Sequence, residues 1–162
     1  MNSEAEDALE REVTRFLYRE ARHQDEHEYE AWEALWTDDG VYWIPANGPG
    51  SDPEHQMSIV YDNRSRIALR VKQLQTGRRH SQSPPSRLTR VVSNIEAETT
   101  ENGEIRARSN AIVYEYNPRG ETVWACRNEL LLRRVDGALK MARKKVVLVN
   151  NEGPLFTLSY LI

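Results

Sequence analysis

The sequence predicts an α+β fold in which N-terminal helices pack into a strongly curved antiparallel β-sheet. Three observations predict it. Apolar residues in the first half recur at helical spacing, whereas those after residue 86 fall in long runs rich in β-branched and aromatic side chains. The runs are separated by Asn102-Gly103, Asn117-Pro118-Arg119-Gly120 and Asp136-Gly137, which accept the positive φ angles that tight hairpins require. Helices followed by a meander is the order of an α+β domain. The 162 residues, 39% of them hydrophobic, suffice to bury one core, so a single domain over 1–162 is expected.

Taken in order, Ser3 and Glu6 have the spacing of a capping box. Ala5, Leu9, Val13, Phe16 and Leu17 then form one helical stripe that runs to about Arg22. A second helical stretch carries Tyr29, Trp32 and Trp36 on one face, with Leu35 at its flank. Thr37-Asp38-Asp39-Gly40 should end it, because three turn formers and a glycine compete with helical backbone bonding. Residues 41–44 read as a short strand closed by Pro45, residues 46–57 as a loop, and Ile59-Val60-Tyr61 as another strand. Asp62 would cap a third helix with Ile67, Val71 and Leu74 facing inward. Residues 76–86 form an extended connection, and the meander strands are expected at 87–99, 104–116, 121–135 and 138–150.

The meander has more apolar surface than a one-sided sheet needs. Ala111-Ile112-Val113-Tyr114, Leu130-Leu131-Leu132 and Val146-Val147-Leu148-Val149 are apolar in both alternating phases, where a sheet packed on one face should alternate apolar and polar. The helices cover one face. A partner subunit is the simplest cover for the other, and a C-terminal tail folded back is the alternative. One residue of each adjacent pair, Ile112 or Val113 and Leu131 or Leu132, is therefore an interface candidate. Alternation also divides Tyr42 from Trp43, one for the core and one for a neighbour. Arg87, after Pro84-Pro85-Ser86, is a further interface candidate.

Composition excludes several functions. The chain carries 25 acidic and 22 basic residues, a net charge of −3, with the arginines scattered, so no nucleic-acid partner is expected. No apolar run approaches the ~20 residues of a spanning helix, and the start MNSEAEDALERE lacks signal-peptide character. The sole cysteine, Cys126, allows no disulfide within the chain and fits a reducing, cytoplasmic setting; mid-strand, it reads as a buried structural thiol. A Rieske cluster needs two cysteines and two histidines and a ferredoxin-type cluster four cysteines. No cofactor and no metal is therefore expected in this chain. Glycine-rich nucleotide loops and a serine-hydrolase elbow have no match.

Residues 16–22 (FLYREAR), Asp25-Glu26 and residues 32–45 (WEALWTDDGVYWIP) together resemble the small (β) subunit of bacterial aromatic-ring-hydroxylating dioxygenases. Tyr61-Asp62-Asn63-Arg64, Arg70-Val71, Thr76-Gly77-Arg78, Pro84-Pro85-Ser86-Arg87, Val92-Ser93-Asn94 and residues 144–150 extend the resemblance over essentially the whole chain, in order. It implies a cone-shaped fold of the cystatin-like, nuclear-transport-factor-2 type. It further implies a structural β subunit that trimerises and supports three large α subunits as α3β3, in aromatic compound catabolism. The α subunit would carry the Rieske 2Fe-2S cluster and the mononuclear Fe(II), with electrons passed from NAD(P)H by a ferredoxin and a reductase. The whole enzyme would add both atoms of O2 to an aromatic ring, whose identity the resemblance leaves open.

Two other chemistries are legible in the residues. His23, His27 and Glu30 share one side of a helical wheel and could face a metal, but that side points away from the Tyr29, Trp32 and Trp36 face, towards solvent. The implied fold also houses stand-alone isomerases and dehydratases. In that reading Asp38 or Asp39 would be the base at the cone's mouth, beside Tyr42, with His55 or His80 completing the site. Asp-Asp-Gly is equally ordinary turn chemistry.

Overall fold

The computed structural model describes residues 2–76, 84–149 and 160–162. Helices α1 (Ser3–Asp25) and α2 (Tyr29–Glu33) lead into strands β1 (Trp36–Pro45) and β2 (Ser58–Asp62). Helix α3 (Arg64–Gln75) follows, and then β3 (Arg87–Thr99), β4 (Ile105–Asn117), β5 (Gly120–Val135) and β6 (Ala138–Leu148). The four-strand antiparallel meander is as expected, with Gly103 (φ 84°) and Asp136-Gly137 (φ 52° and 81°) turning the hairpins.

The sheet itself differs from the expectation. It is mixed, and it is neither strongly curled nor closed into a cone. The strand order is β2-β1-β6-β5-β4-β3, and β1 runs parallel to β6 with Tyr42 opposite Lys144 and Trp43 opposite Lys145. Curling it shut would require β2 to pair with β3. Five-residue β2 and thirteen-residue β3 instead lie at opposite edges.

Local boundaries have identifiable causes. Asn2, rather than Ser3, caps α1, its side chain accepting from the Ala5 amide at 2.9 Å. Asn63, rather than Asp62, caps α3 through the Arg66 amide at 3.0 Å, which leaves Asp62 to accept from Arg70 Nε at 2.7 Å. The second helix is only five residues long, and Trp36 to Gly40 belong to β1. Pairing with β6 skips from Trp36 to Val41, so Thr37-Asp38-Asp39-Gly40 makes an irregularity inside a strand instead of ending a helix. Gly40 is needed there, because a Cβ would lie 2.7 Å from Trp36 Cε3.

The core lies between the helices and the inner sheet face. Val13, Phe16 and Leu17 of α1 and Ile67, Val71 and Leu74 of α3 meet Val113, Trp124, Leu132, Met141 and Leu148. Trp32, Trp36 and Tyr42 form an aromatic cluster with ring centres 5.5 to 5.9 Å apart, within the range of favourable edge-to-face contacts. Tyr160, Leu161 and Ile162 are buried in the same layer.

Candidate functional site

Alternation along the meander gives the sheet two unlike faces. Val113 is fully buried on the inner face, while its neighbour Ile112 is 54% exposed on the outer. Ile112 pairs with Val91 on β3 and with Ala125 on β5, and Tyr114 pairs with Val123. Val91 (68% exposed), Val123 (58%) and Val149 (63%), which donates its amide to the Ala125 carbonyl, join them. The result is a contiguous apolar patch with Tyr116 at its rim. Monomeric proteins seldom leave such a patch open to water. The other end of this face is charged, with Arg106 paired to Glu98 and Arg143 stacked on Trp43 at 5.1 Å. Leu131 is half-buried there and Leu132 is in the core.

Tyr42 and Trp43 do point to opposite faces, yet both are buried. Trp43 is covered on the outer side by Lys145, whose ammonium lies 4.6 Å from the ring centre and donates to the Pro49 carbonyl at 2.6 Å. The loop after β1 thus reaches Lys145 on the outer side of β6, a contact that alternation alone could not reveal. Arg87 is exposed at the start of edge strand β3.

The residues of the isomerase reading do not assemble. Asp38 and Asp39 are exposed. The Asp39 carboxylate accepts from Thr37 Oγ1 at 2.8 Å and from Arg133 at 2.9 Å. The Thr37 hydrogen bond, and then Arg133, hold it below the ordinary carboxylate range, the opposite of what a general base needs. The Tyr42 hydroxyl donates to the Ile162 main-chain oxygen at 2.8 Å and accepts from the Ile162 amide at 3.1 Å; burial pushes its pKa up. His55 is exposed and paired with Asp52, and His80 lies outside the described residues.

The histidine stripe is also dissolved. Helix α1 ends at Asp25 and His27 takes φ 56°, so one helical wheel no longer relates His23 to His27. His23 binds Glu28, while His27 bridges the Ser86 carbonyl at 2.7 Å and the Tyr29 hydroxyl at 2.9 Å. Among the described residues no group of three His, Cys, Asp or Glu is placed to hold a metal. Cys126 is buried, and burial pushes its thiol up. One cysteine cannot supply the donor set of a Rieske cluster, the group that the resemblance assigns to the α subunit.

Sequence reasoning missed the interior polar site. Glu20 and Lys144 form a buried ion pair at 2.7 Å, and Trp32 Nε1 donates to the same carboxylate oxygen at 3.0 Å. Beside it Arg90 binds Asp25 at 2.6 Å, Gln24 Oε1 at 2.9 Å and the Leu161 carbonyl at 3.2 Å. The signal was present: Glu20 and Gln24 continue the stripe of Val13, Phe16 and Leu17 at helical spacing. The cavity they line with Ile162 is only ≈ 20 Å³, against the ~150 Å³ of a cavity known to take benzene. An aromatic ring has no room there.

A helix-backed sheet with a filled interior and an open apolar face defines a chain built for association. Comparison with known proteins gives the family. The profile described as "Ring hydroxylating beta subunit" matches residues 19–152, and the chain belongs to that family. It is 31% identical over 144 residues to the β subunit of toluate 1,2-dioxygenase from Pseudomonas putida, covering 86% of this chain and 89% of the relative. It is 32% identical over 152 residues to the small oxygenase component of the naphthalene 1,2-dioxygenase system of Pseudomonas aeruginosa, covering 87% and 78%. Among solved structures, the benzoate 1,2-dioxygenase β subunit of Burkholderia mallei superposes with a TM-score of 0.74 at 25% identity, over 92% of this chain and 95% of that one. This chain is the structural β subunit of a multicomponent ring-hydroxylating dioxygenase, and its partner is the catalytic α subunit.

Proposed function

We propose that three copies of this chain associate through the outer sheet face and that the trimer carries three α subunits as α3β3. The Rieske 2Fe-2S cluster and the mononuclear Fe(II) belong to the α subunits, with electrons supplied from NAD(P)H through a ferredoxin and a reductase. The assembly works in the cytoplasm in the breakdown of an aromatic compound. The observation that carries this reading is the patch of Val91, Ile112, Tyr114, Val123 and Val149. Burying ~1,000 Å² of apolar surface per subunit contributes on the order of 25 kcal/mol before association and ordering costs are subtracted. Relatives of near-equal identity are named for rings as different as toluate and naphthalene. That supports a subunit that scaffolds the enzyme and leaves ring recognition to its partner.

Four lysine variants test the reading. Ile112→Lys and Leu131→Lys should dissociate the oligomer by light scattering while circular dichroism stays native. Val113→Lys and Leu132→Lys should unfold the chain, since an unpaired charge in the core costs several kcal/mol. If all four simply unfold a monomeric wild type, the partner-covered face is wrong.

A further inference from the structure

The small interior cavity is lined by polar groups whose hydrogen bonding is incomplete. Gln24 and Asn128 both line it, and both are more than nine-tenths buried. Among the described residues, Gln24 Nε2 and Asn128 Oδ1 nevertheless have no hydrogen-bond partner. The orientation of the Gln24 amide is fixed, because its Oε1 accepts from Arg90 Nη1 at 2.9 Å and a guanidinium can only donate. Asn128 Nδ2 is directed to Ser109 Oγ at 3.4 Å, which leaves its oxygen facing the cavity unsatisfied.

We propose that this cavity holds one ordered water, which accepts from Gln24 Nε2 and donates to Asn128 Oδ1 and so bridges α1 to β5. Size and chemistry select this ligand independently. The cavity measures ≈ 20 Å³, above the ~10–15 Å³ that one water requires and far below the room for an organic molecule. An orphan donor and an orphan acceptor in one cavity call for a neutral group able to do both. A cation would leave the Gln24 amide without an acceptor, and an anion would face the Asn128 carbonyl. The charges in the wall are already balanced, Lys144 by Glu20 and Arg90 by Asp25. The Ser109 hydroxyl, buried in the same wall, can donate as a third partner. The water also gives a partner to two buried amide groups that share this wall with Leu17, Val113 and Leu130.

A crystal structure of the full chain tests this, with parallel crystals soaked in bromide. The expected result is one density peak within about 2.7–3.2 Å of both Gln24 Nε2 and Asn128 Oδ1, with no anomalous signal at that point in bromide. An anomalous peak there would show an anion site and overturn the assignment. So would an empty cavity, or a direct bond between the two amides. Two variants separate bridging from mere filling. Asn128→Leu and Gln24→Met each remove one partner, and whichever of them folds should lose the peak. A peak that survives in place would mean that Ser109 and Lys144 hold it, and the bridge from α1 to β5 would be wrong.

Discussion

At the residue scale, the interior shows how charge can be tolerated inside a helix–sheet core. Glu20 and Lys144 are held together at 2.7 Å with Trp32 completing the carboxylate's bonding. Removing one partner leaves the other charge buried and alone. Lys144→Met should therefore lower stability by about 3–5 kcal/mol in urea unfolding, and the double variant Glu20→Met/Lys144→Met should recover much of that loss. A double variant no more stable than the single one would show that the pair is not the reason for the loss. Asp39 supplies a second measurement. Its folded pKa is depressed by Thr37 and Arg133, so its contribution to stability is present above the ordinary carboxylate range and disappears as the pH falls through the folded value. Side-chain NMR should find it titrating below an ordinary aspartate. A raised value would return Asp39 to consideration as a base.

At the scale of elements, the segment from Trp36 to Val41 decides how the first strand meets the sheet. Gly40→Ala places a Cβ against Trp36 Cε3 and the Thr37 carbonyl, at 2.7 and 3.2 Å. We expect a loss of about 1–3 kcal/mol, read as a lowered urea midpoint. An alanine variant of unchanged stability would mean that Trp36 moves aside freely. The same segment marks the limit of what the sequence discloses. Asn102-Gly103 and Asp136-Gly137 announce hairpins because the φ requirement is local to two residues. Trp32 and Trp36 fit a helical stripe four apart, and only the pairing of β1 with β6 pulls Trp36 into a strand. That pairing joins residues about a hundred positions apart, and no local pattern encodes it. The open, mixed sheet was hidden for the same reason, while Glu20 and Gln24 lie at legible positions of the helical stripe.

At the scale of the whole molecule, function follows from what the fold leaves uncovered. The interior is filled by Tyr160, Leu161 and Ile162 and by a buried polar network. The outer face of β3, β4 and β5 presents Val91, Ile112, Tyr114 and Val123 to solvent. The pairing of adjacent apolar residues was legible in the sequence, and burial assigns Ile112 outward and Val113 inward. The central claim is that this face belongs to the assembly. The most direct test is the mass of the purified wild-type chain by light scattering across a dilution series. The account predicts a stable trimer whose mass holds on dilution. A monomer, well folded and soluble with the apolar face open to water, would contradict it.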